Sequence, residues 1–194
     1  RALARIFEVE NPDSALIFCN TRARVDYVST VLARFGYNAD RISSDLTQAQ
    51  RERIMAKIRK GELRFLVATD VASRGIDLPE LTHVILYDLP DDPEDYIHRA
   101  GRTGRAGSSG TAITMVTPVE KMGLDRISKR YGIDMQEREA PTEEEVQEIV
   151  GERLLIQLEA KARNRDKLKL ERMERFVPLA KELASSEEGL SLLA

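Results

Sequence analysis

The segment Ala15-Leu-Ile-Phe-Cys19 is an unbroken apolar run, and the polar residues Asn20-Thr21-Arg22 follow it directly. Helical patterns come after it, as at Arg24 to Phe35 and Gln48 to Lys60. Further strand-like runs occur at 39–43, 63–68, 84–89 and 110–117. Strands that alternate with helices form parallel sheets, because right-handed crossovers place the helices against the sheet. The sequence therefore predicts an α/β fold with a parallel sheet and helices on both faces.

Polar residues follow several of these runs, and the predicted topology gives them a common place. In parallel sheets the loops at the carboxyl ends of the strands form the working surface. Asn20-Thr21-Arg22 follows the first run, Thr69-Asp70 follows the third, and the 98–105 segment comes shortly after the fourth. We therefore expect a functional site at that edge of the sheet.

The stretch His98-Arg-Ala-Gly-Arg-Thr-Gly-Arg105 has three arginines and two glycines at fixed spacing. A guanidinium stays charged and presents a rigid fork of donors that matches phosphate oxygens. The glycines permit tight turns, so Arg102 and Arg105 are able to project from one rigid loop. Arginine–glycine runs also occur in disordered RNA-binding tails. Here a run with the content of a buried strand follows at 110–117, which favours a phosphate site in a folded domain.

Three more stretches accompany this one in a fixed order: Leu16-Ile-Phe-Cys-Asn-Thr-Arg22, Asp45-Leu-Thr-Gln-Ala-Gln-Arg51 and Val67-Ala-Thr-Asp-Val-Ala-Ser-Arg-Gly-Ile-Asp77. Together the four motifs resemble those of the C-terminal RecA-like domain of DEAD-box RNA helicases. The resemblance covers about residues 1–139. It departs at Ser43-Ser44-Asp45, where the family usually has His-Gly-Asp.

The resemblance implies a nucleotide site shared with an N-terminal RecA-like domain, which would hold ATP and Mg²⁺ for the most part. Arg102 and Arg105 would act as arginine fingers that reach the γ-phosphate across a cleft. Asp77 would accept hydrogen bonds from the ribose hydroxyls, and a structural cap is its alternative role. Arg74 would join the network between the domains, and Gly75 would permit a close turn.

The resemblance also implies an RNA track, built from Thr21, Arg22, Ser44, Gln48, Arg51 and Thr69. Phosphate and ribose contacts of this kind hold RNA without reading its sequence. Gln48 and Arg51 are three residues apart on a predicted helix and so share a face. A solvated helix face is the alternative for Arg51 and for its neighbour Arg53.

The resemblance gives His98 and Arg99 a further role, in contacts with the N-terminal domain that couple the RNA and ATP sites when the two domains close. A structural role is the alternative for His98. The second histidine of the chain, His83, lies in a strand-like run and is interpreted as structural only.

Composition sets limits on these interpretations. The 194 residues suit one domain with an appendage, and the net charge of −3 means that any RNA site is local. The single cysteine, Cys19, is expected to be a packed thiol. With no run of about 20 apolar residues and no signal peptide, we expect a cytoplasmic protein. The sequence also lacks a phosphate loop and an Asp-Glu-Ala-Asp motif, so we expect part of a longer protein that does not hydrolyse ATP alone.

The character of the chain changes at Ala140, and we predict a helical domain over 140–194 after a RecA-like domain over 1–139. Thr142 and Glu145 have the spacing of a capping box that starts a helix, and Pro178 is expected at a helix start or kink. Two apolar stripes follow, at Val146, Val150, Leu154 and Leu158, and at Met173, Phe176, Ala180 and Leu183. Some bacterial DEAD-box proteins are similar in carrying a helical dimerisation domain here, so we expect a homodimer. Docking of the helices on the core is the alternative.

Two other function classes stay open at this stage. A superfamily-2 DNA helicase of the RecQ or repair type shares the arginine–glycine loop. A non-catalytic RNA-binding or dimerisation module with relic motifs is the second rival.

Overall fold

The computed structural model describes residues 1–43, 45–73, 81–104, 109–163, 172 and 174–193. The chain divides into two compact units, Arg1–Pro141 and Thr142–Ala194. Within the described ranges, no helix combines the length and the apolar character needed to cross a membrane.

The first unit is built around a five-stranded parallel sheet with the strand order β2-β3-β1-β4-β5. The strands are β1 (Ala15–Phe18), β2 (Ala39–Ile42), β3 (Phe65–Ala68), β4 (His83–Leu86) and β5 (Thr111–Thr114). Its helices are α1 (Ala2–Glu10), α2 (Arg22–Arg34), α3 (Gln48–Arg59), α4 (Asp70–Ser73), α5 (Pro93–Ala100) and α6 (Pro118–Tyr131). The parallel sheet predicted from the alternating pattern is confirmed.

The central strand β1 is buried along its whole length, because it pairs with β3 on one side and with β4 on the other. Helices cover both faces of the sheet. One hydrophobic cluster contains side chains of α3, α5 and α6, such as Met55, Tyr96 and Ile127. The other contains side chains of α1 and α2, such as Phe7 and Leu32. The prediction of helices on both faces is therefore confirmed.

The last strand differs from the prediction of a buried strand over 110–117. β5 pairs only with β4 and forms an edge of the sheet, so its side chains are exposed or partly exposed. β5 ends at Thr114. Beyond it, the hydroxyl of Thr117 accepts a hydrogen bond from the backbone amide of Glu120, and the Glu120 carboxylate accepts one from the backbone amide of Thr117. This capping box, with Pro118 behind it, starts α6.

Side chains and loops join the strands at the amino edge of the sheet, where the strands begin. Ser14 and Thr82, just before β1 and β4, bond each other reciprocally through amide and hydroxyl groups at 3.2 Å. The exposed Arg64, just before β3, donates to the carbonyl of Pro12 and stacks over the ring of Phe65 at 5.3 Å. The amino edge thus includes two separate links, each of which joins a pair of strands.

The second unit is described here by itself and contains α7 (Glu143–Arg163), α8 (Val177–Ala184) and α9 (Glu187–Leu193). The predicted capping box is confirmed. At the start of α7 the backbone amide of Thr142 donates to the carboxylate of Glu145 at 2.8 Å, and the backbone amide of Glu145 donates to the hydroxyl of Thr142 at 3.2 Å. Pro178 lies in the first turn of α8, as predicted. Large apolar side chains of α7 are exposed, at Leu154, Leu155, Ile156 and Leu158.

Candidate functional site

The loop that follows β1 lies at the carboxyl edge of the sheet. Thr21 caps α2, because its hydroxyl accepts a hydrogen bond from the amide of Arg24 at 3.2 Å. Arg22 is the first residue of α2, and its guanidinium forms an exposed ion pair of 3.0 Å with Asp45. An exposed pair of this kind contributes little to stability, so a phosphate is able to replace the carboxylate at small cost.

The loop after β2 brings a second group of predicted residues to the same edge. Ser43 is buried, and its hydroxyl donates to Asp45 while it accepts from Arg41 at 3.2 Å. The hydrogen bond from Ser43, its own backbone amide and the charge of Arg22 lower the pKa of Asp45 below its ordinary value. This carboxylate is therefore the local counter-ion of the loop.

Gln48 and Arg51 lie one turn apart on α3, as the sequence predicted. The Gln48 amide donates to Glu52 at 3.1 Å, and the guanidinium of Arg51 reaches the carbonyl of Ser43 at 3.5 Å. Thr47 caps this helix through a capping box with Gln50. The cap fixes the start of α3 beside the loop after β2.

Thr69 stands at the carboxyl end of β3, where its hydroxyl accepts a 3.4 Å hydrogen bond from the amide of Ala72 in α4. The next residue, Asp70, begins α4. Both of its carboxylate oxygens accept hydrogen bonds from Arg99, at 2.9 and 2.6 Å. Thr69 is therefore held at the edge by an anchored neighbour.

Arg99 is inside the first unit, with only 3% of its residue surface exposed. Besides Asp70, its guanidinium donates to the side-chain oxygen of Asn20 at 2.8 Å and to the carbonyl of Asp88 at 2.9 Å. Its charge also lies 5.5 Å from the centre of the Phe18 ring. The side chain assigned to an interdomain contact is thus fully used within this unit, where it joins the carboxyl ends of β1, β3 and β4.

His98 precedes Arg99 on α5 but points in a different direction, and 72% of its side chain is exposed. The difference arises because consecutive residues of a helix point about 100° apart. Its nearest charged partner is Asp95, one turn earlier, at 4.0 Å. His98 is therefore accessible to another domain, whereas Arg99 is not.

The turn at Arg102-Thr103-Gly104 lies at the other end of the sheet. The Thr103 hydroxyl donates to the carbonyls of Leu81 and Thr82, at 2.6 and 3.2 Å, and both of these residues precede β4. Gly104 has φ of 68°, a conformation that favours glycine. We expected this turn at the carboxyl edge, and that expectation was wrong. The reason is that α5 begins after the carboxyl end of β4 and runs back to its amino end.

Arg102 itself is partly exposed, and its amide donates to the carbonyl of Arg99 at 3.1 Å. Its guanidinium has no hydrogen-bond or ion-pair partner among the residues that the structure describes. A partly exposed, unpaired guanidinium suits an anionic ligand. The other predicted residues of the nucleotide and RNA sites, which are Ser44, Arg74, Gly75, Asp77 and Arg105, lie outside the described residues.

Two residues of the carboxyl edge were not assigned any role from the sequence. Asn20 follows β1 and Asp88 follows β4. The backbone amide of Asn20 donates to the Asp88 carboxylate at 3.0 Å. The side chain of Asn20 also donates to the carbonyl of Leu89 at 2.8 Å. The signal was present, because polar residues directly after two neighbouring parallel strands share one edge.

The thiol of Cys19 is buried at this edge, as predicted. Burial, with a smaller contribution from the charge of Asp88, raises its pKa from 9.0 to about 12. It is therefore a packed thiol and not a nucleophile. In the described part of the chain, no three His, Cys, Asp or Glu side chains converge in a way that could hold a metal ion.

Comparison with known proteins identifies the first unit. Residues 1–107 match the family described as the helicase conserved C-terminal domain. The chain is 38% identical over its whole length to the RNA helicase CrhR of Synechocystis and covers 38% of that protein. It is 48% identical over 143 residues, or 74% of the chain, to the ATP-dependent RNA helicase CshA of Limosilactobacillus reuteri, and covers 29% of it. The chain thus spans roughly a third of the length of these relatives.

Solved structures agree with this assignment. The C-terminal domain of the DEAD-box protein Dbp5 matches with a TM-score of 0.68 and 33% identity, over 77% of this chain and 88% of that one. A DEAD box protein from the hyperthermophile Methanococcus jannaschii matches with a TM-score of 0.65 and 38% identity, over 71% of this chain and 38% of its own. The chain therefore belongs to the helicase conserved C-terminal domain family and is the C-terminal RecA-like domain of a DEAD-box RNA helicase.

Proposed function

We propose that this chain works as half of an ATP-dependent RNA helicase that separates short RNA duplexes. It contributes part of the RNA track and the arginine fingers, and an N-terminal RecA-like domain of the same protein contributes the rest. The observation that carries the proposal is the gathering of Thr21, Arg22, Gln48, Arg51 and Thr69 at the carboxyl ends of three adjacent strands. The relatives named as RNA helicases support the same conclusion.

The RNA track fits a ligand that is held by its backbone. Arg22 and Arg51 supply positive charge, and Thr21, Gln48 and Thr69 supply small polar groups. Arg22 has a weak exposed pair and Arg51 a long hydrogen bond, so both guanidinium groups are able to turn toward phosphates. Ser44 completes this set in the proposal.

The nucleotide side of the proposal is assigned to the turn at the amino end of β4 and to its continuation. In this proposal Arg102 and Arg105 offset charge on the phosphate oxygens of ATP, Asp77 binds the ribose hydroxyls, Arg74 joins the network between the domains, and Gly75 permits a close turn. Bound ATP with Mg²⁺ supplies the phosphoryl bond whose cleavage drives the cycle. The partly exposed guanidinium of Arg102 has the chemistry that such a ligand needs.

His98 is proposed to meet the N-terminal domain when the two domains close around ATP and RNA. Its exposed imidazole supports this role, because closure needs a donor or acceptor on the surface of α5. Closure of this kind makes the two ligands reciprocal, so that each one tightens the binding of the other.

The RNA track is tested by removing one arginine of α3 at a time in the protein that carries both RecA-like domains. Arg51→Ala is expected to weaken binding of single-stranded RNA and to reduce the slope of log K against log salt by about 0.7. Arg53→Ala is the matched control, since Arg53 is an exposed arginine of the same helix outside the proposed track. Equal losses in the two variants would remove Arg51 from the track.

The same protein separates the competing functions. RNA, but not DNA of the same sequence, is expected to stimulate ATP hydrolysis. Equal stimulation by DNA would indicate a DNA helicase, and no hydrolysis with either would indicate a binding module. The chain by itself is expected to show no turnover.

The arginine fingers are tested by Arg102→Ala in the two-domain protein. In other NTPases a finger accounts for roughly 10³ to 10⁵ in rate, so kcat is expected to fall by a factor in that range while RNA binding without nucleotide persists. Arg102→Lys keeps the charge without the fork of donors and is expected to restore little. An unchanged kcat in both variants would refute the assignment.

We also propose that the second unit joins two copies of the chain. Leu154, Leu155, Ile156 and Leu158 of α7 are exposed, as are Phe176, Val177 and Leu179 at the start of α8, and water disfavours exposed apolar side chains. A second copy offers the same surface, which is what a twofold interface requires. Two motors joined in this way would act on one RNA at a high effective concentration.

Light scattering of the chain at micromolar concentrations tests this dimer. The wild-type chain is expected to have twice the monomer mass, and the double variant Leu154→Ser/Leu158→Ser is expected to be a monomer. Val119→Ser is the control, because Val119 is an even more exposed apolar residue in the first unit. A monomeric wild-type chain would refute the proposal.

A further inference from the structure

Arg99 contacts the carboxyl end of the sheet through its side chain, and it is joined to the amino end through Arg102 and Thr103. Its guanidinium binds Asp70, Asn20 and the carbonyl of Asp88, which follow β3, β1 and β4. Its carbonyl accepts the amide of Arg102, whose turn lies beside the start of β4. Each strand between these two ends has four residues and is about 13 Å long.

The side chain of Arg99 is held on every side. Four hydrogen bonds of 2.6 to 2.9 Å use its Nε, Nη1 and Nη2 atoms, and the ring of Phe18 lies 5.5 Å from its charge. A buried guanidinium with several charge-assisted bonds has one geometry, because each alternative rotamer leaves a buried charge without partners. The three loops at the carboxyl edge therefore have fixed positions relative to α5.

The backbone link is equally direct. Arg99 lies in the last turn of α5, and its carbonyl bonds the first residue of the arginine turn. Thr103, the next residue, is fixed by its two bonds to the carbonyls before β4. The turn is thus joined both to the end of α5 and to the residues before β4.

We propose that Arg99 is a positioning residue that couples RNA binding to nucleotide binding within this domain. It makes the RNA-facing loops after β1 and β3 and the turn with Arg102 one rigid body. RNA that fixes Thr69 and Thr21 thereby fixes the backbone position from which Arg102 extends. This inference rests on the proposed function, and it replaces the interdomain contact that the resemblance implied for Arg99.

The test measures the coupling itself in the two-domain protein. The dissociation constant of a fluorescent, non-hydrolysable ATP analogue is measured without RNA and with saturating poly(U). The ratio of the two constants is the coupling, which is typically 5- to 150-fold between linked sites. For Arg99→Gln we expect the ratio to fall to within twofold of one, while the analogue still binds without RNA.

Arg64→Gln is the matched control. Arg64 also joins two strands and stacks on an aromatic ring, but at the amino edge and away from the arginine turn. A merely structural role for both arginines predicts that each variant keeps its coupling ratio once the protein is folded. A coupling role for Arg99 predicts loss in Arg99→Gln and wild-type coupling in Arg64→Gln.

Milder variants keep the inference testable if Arg99→Gln does not fold. Arg99→Lys keeps the charge near Asp70, but a lysine is unable to bind three loops at once. Asn20→Ala removes the hydrogen bond between Arg99 and the loop after β1. Both are expected to lower the ratio by at least threefold. Wild-type ratios in all folded variants would overturn the inference alone. Absence of coupling in the wild-type protein would overturn the proposed function instead.

Discussion

Two arginines hold strands together at opposite edges of one sheet, and they do so differently. Arg64 at the amino edge is exposed, and it donates to the carbonyl of Pro12 in the loop before β1. Arg99 at the carboxyl edge is buried and joins three strands through a carboxylate, an amide oxygen and a carbonyl. The amino edge adds a second, separate link through Ser14 and Thr82.

The contrast teaches where the fold concentrates its polar contacts. At the amino edge each link joins two strands, so the loss of one leaves the other in place. At the carboxyl edge a single side chain joins all three central strands, beside the residues proposed to bind RNA. Pairwise links hold neighbouring strands independently of each other, whereas a side chain shared by three strands makes their loops move together.

The largest expected effect comes from removing each arginine in turn from this chain. Arg99→Met is expected to lower the free energy of unfolding by about 3 kcal/mol, since it removes the buried cation that both carboxylate oxygens of Asp70 bind. Arg64→Met is expected to cost about 1 kcal/mol or less, because its partners are reached by water. Urea unfolding followed by far-UV circular dichroism measures both. Equal costs would remove the contrast between the edges.

A glycine at the amino edge gives the next effect. A Cβ added at Gly110 would lie 2.0 Å from the hydroxyl of Thr103 and 2.5 Å from the amide nitrogen of Gly104. Gly110→Ala is therefore expected to displace the arginine turn and to destabilise the chain by about 1 to 3 kcal/mol. Gly151→Ala, in open space on α7, is the control and is expected to stabilise its helix by about 0.5 to 1 kcal/mol. Urea midpoints of the two variants that shift in the same direction would contradict this account.

The smallest effect concerns Cys19 and pH. The folded state favours the protonated thiol, because burial raises its pKa from 9.0 to about 12. Its contribution to stability is thus complete below pH 9 and is lost as the pH rises from 9 toward 12. We expect the unfolding midpoint of the wild-type chain to fall over that range more steeply than that of Cys19→Ala. Parallel pH profiles would show that the thiol at the carboxyl edge is open to water.

Much of the fold follows from local pattern. The apolar run at Ala15 to Cys19 predicts a central strand, and the capping box at Thr142 predicts the start of α7. The prediction that the strand at 110–117 is buried was wrong, because a central strand and an edge strand can have the same apolar content. Only the pairing of β5 with a single neighbour distinguishes the two, and pairing is not local.

The site was predicted in part, and the failures share a cause. Thr21, Gln48 and Thr69 lie at the ends of strands or the starts of helices, so sequence order alone places them. The orientation of Arg99 depends on helical phase: Tyr96, three residues earlier, is also buried, and this spacing was the available signal. The position of the Arg102 turn depends on the direction and length of α5, which the motif does not encode.

The central place of β1 has a consequence for how the chain is made. Ala15 leaves the ribosome before its register partners in the sheet, Phe65 and His83, have been synthesised. Non-local pairing of this kind folds slowly, and an apolar strand without partners is prone to aggregation. The nascent chain therefore carries its most hydrophobic strand unprotected until β3 and β4 have been translated, which makes this interval the one in which a chaperone would matter most.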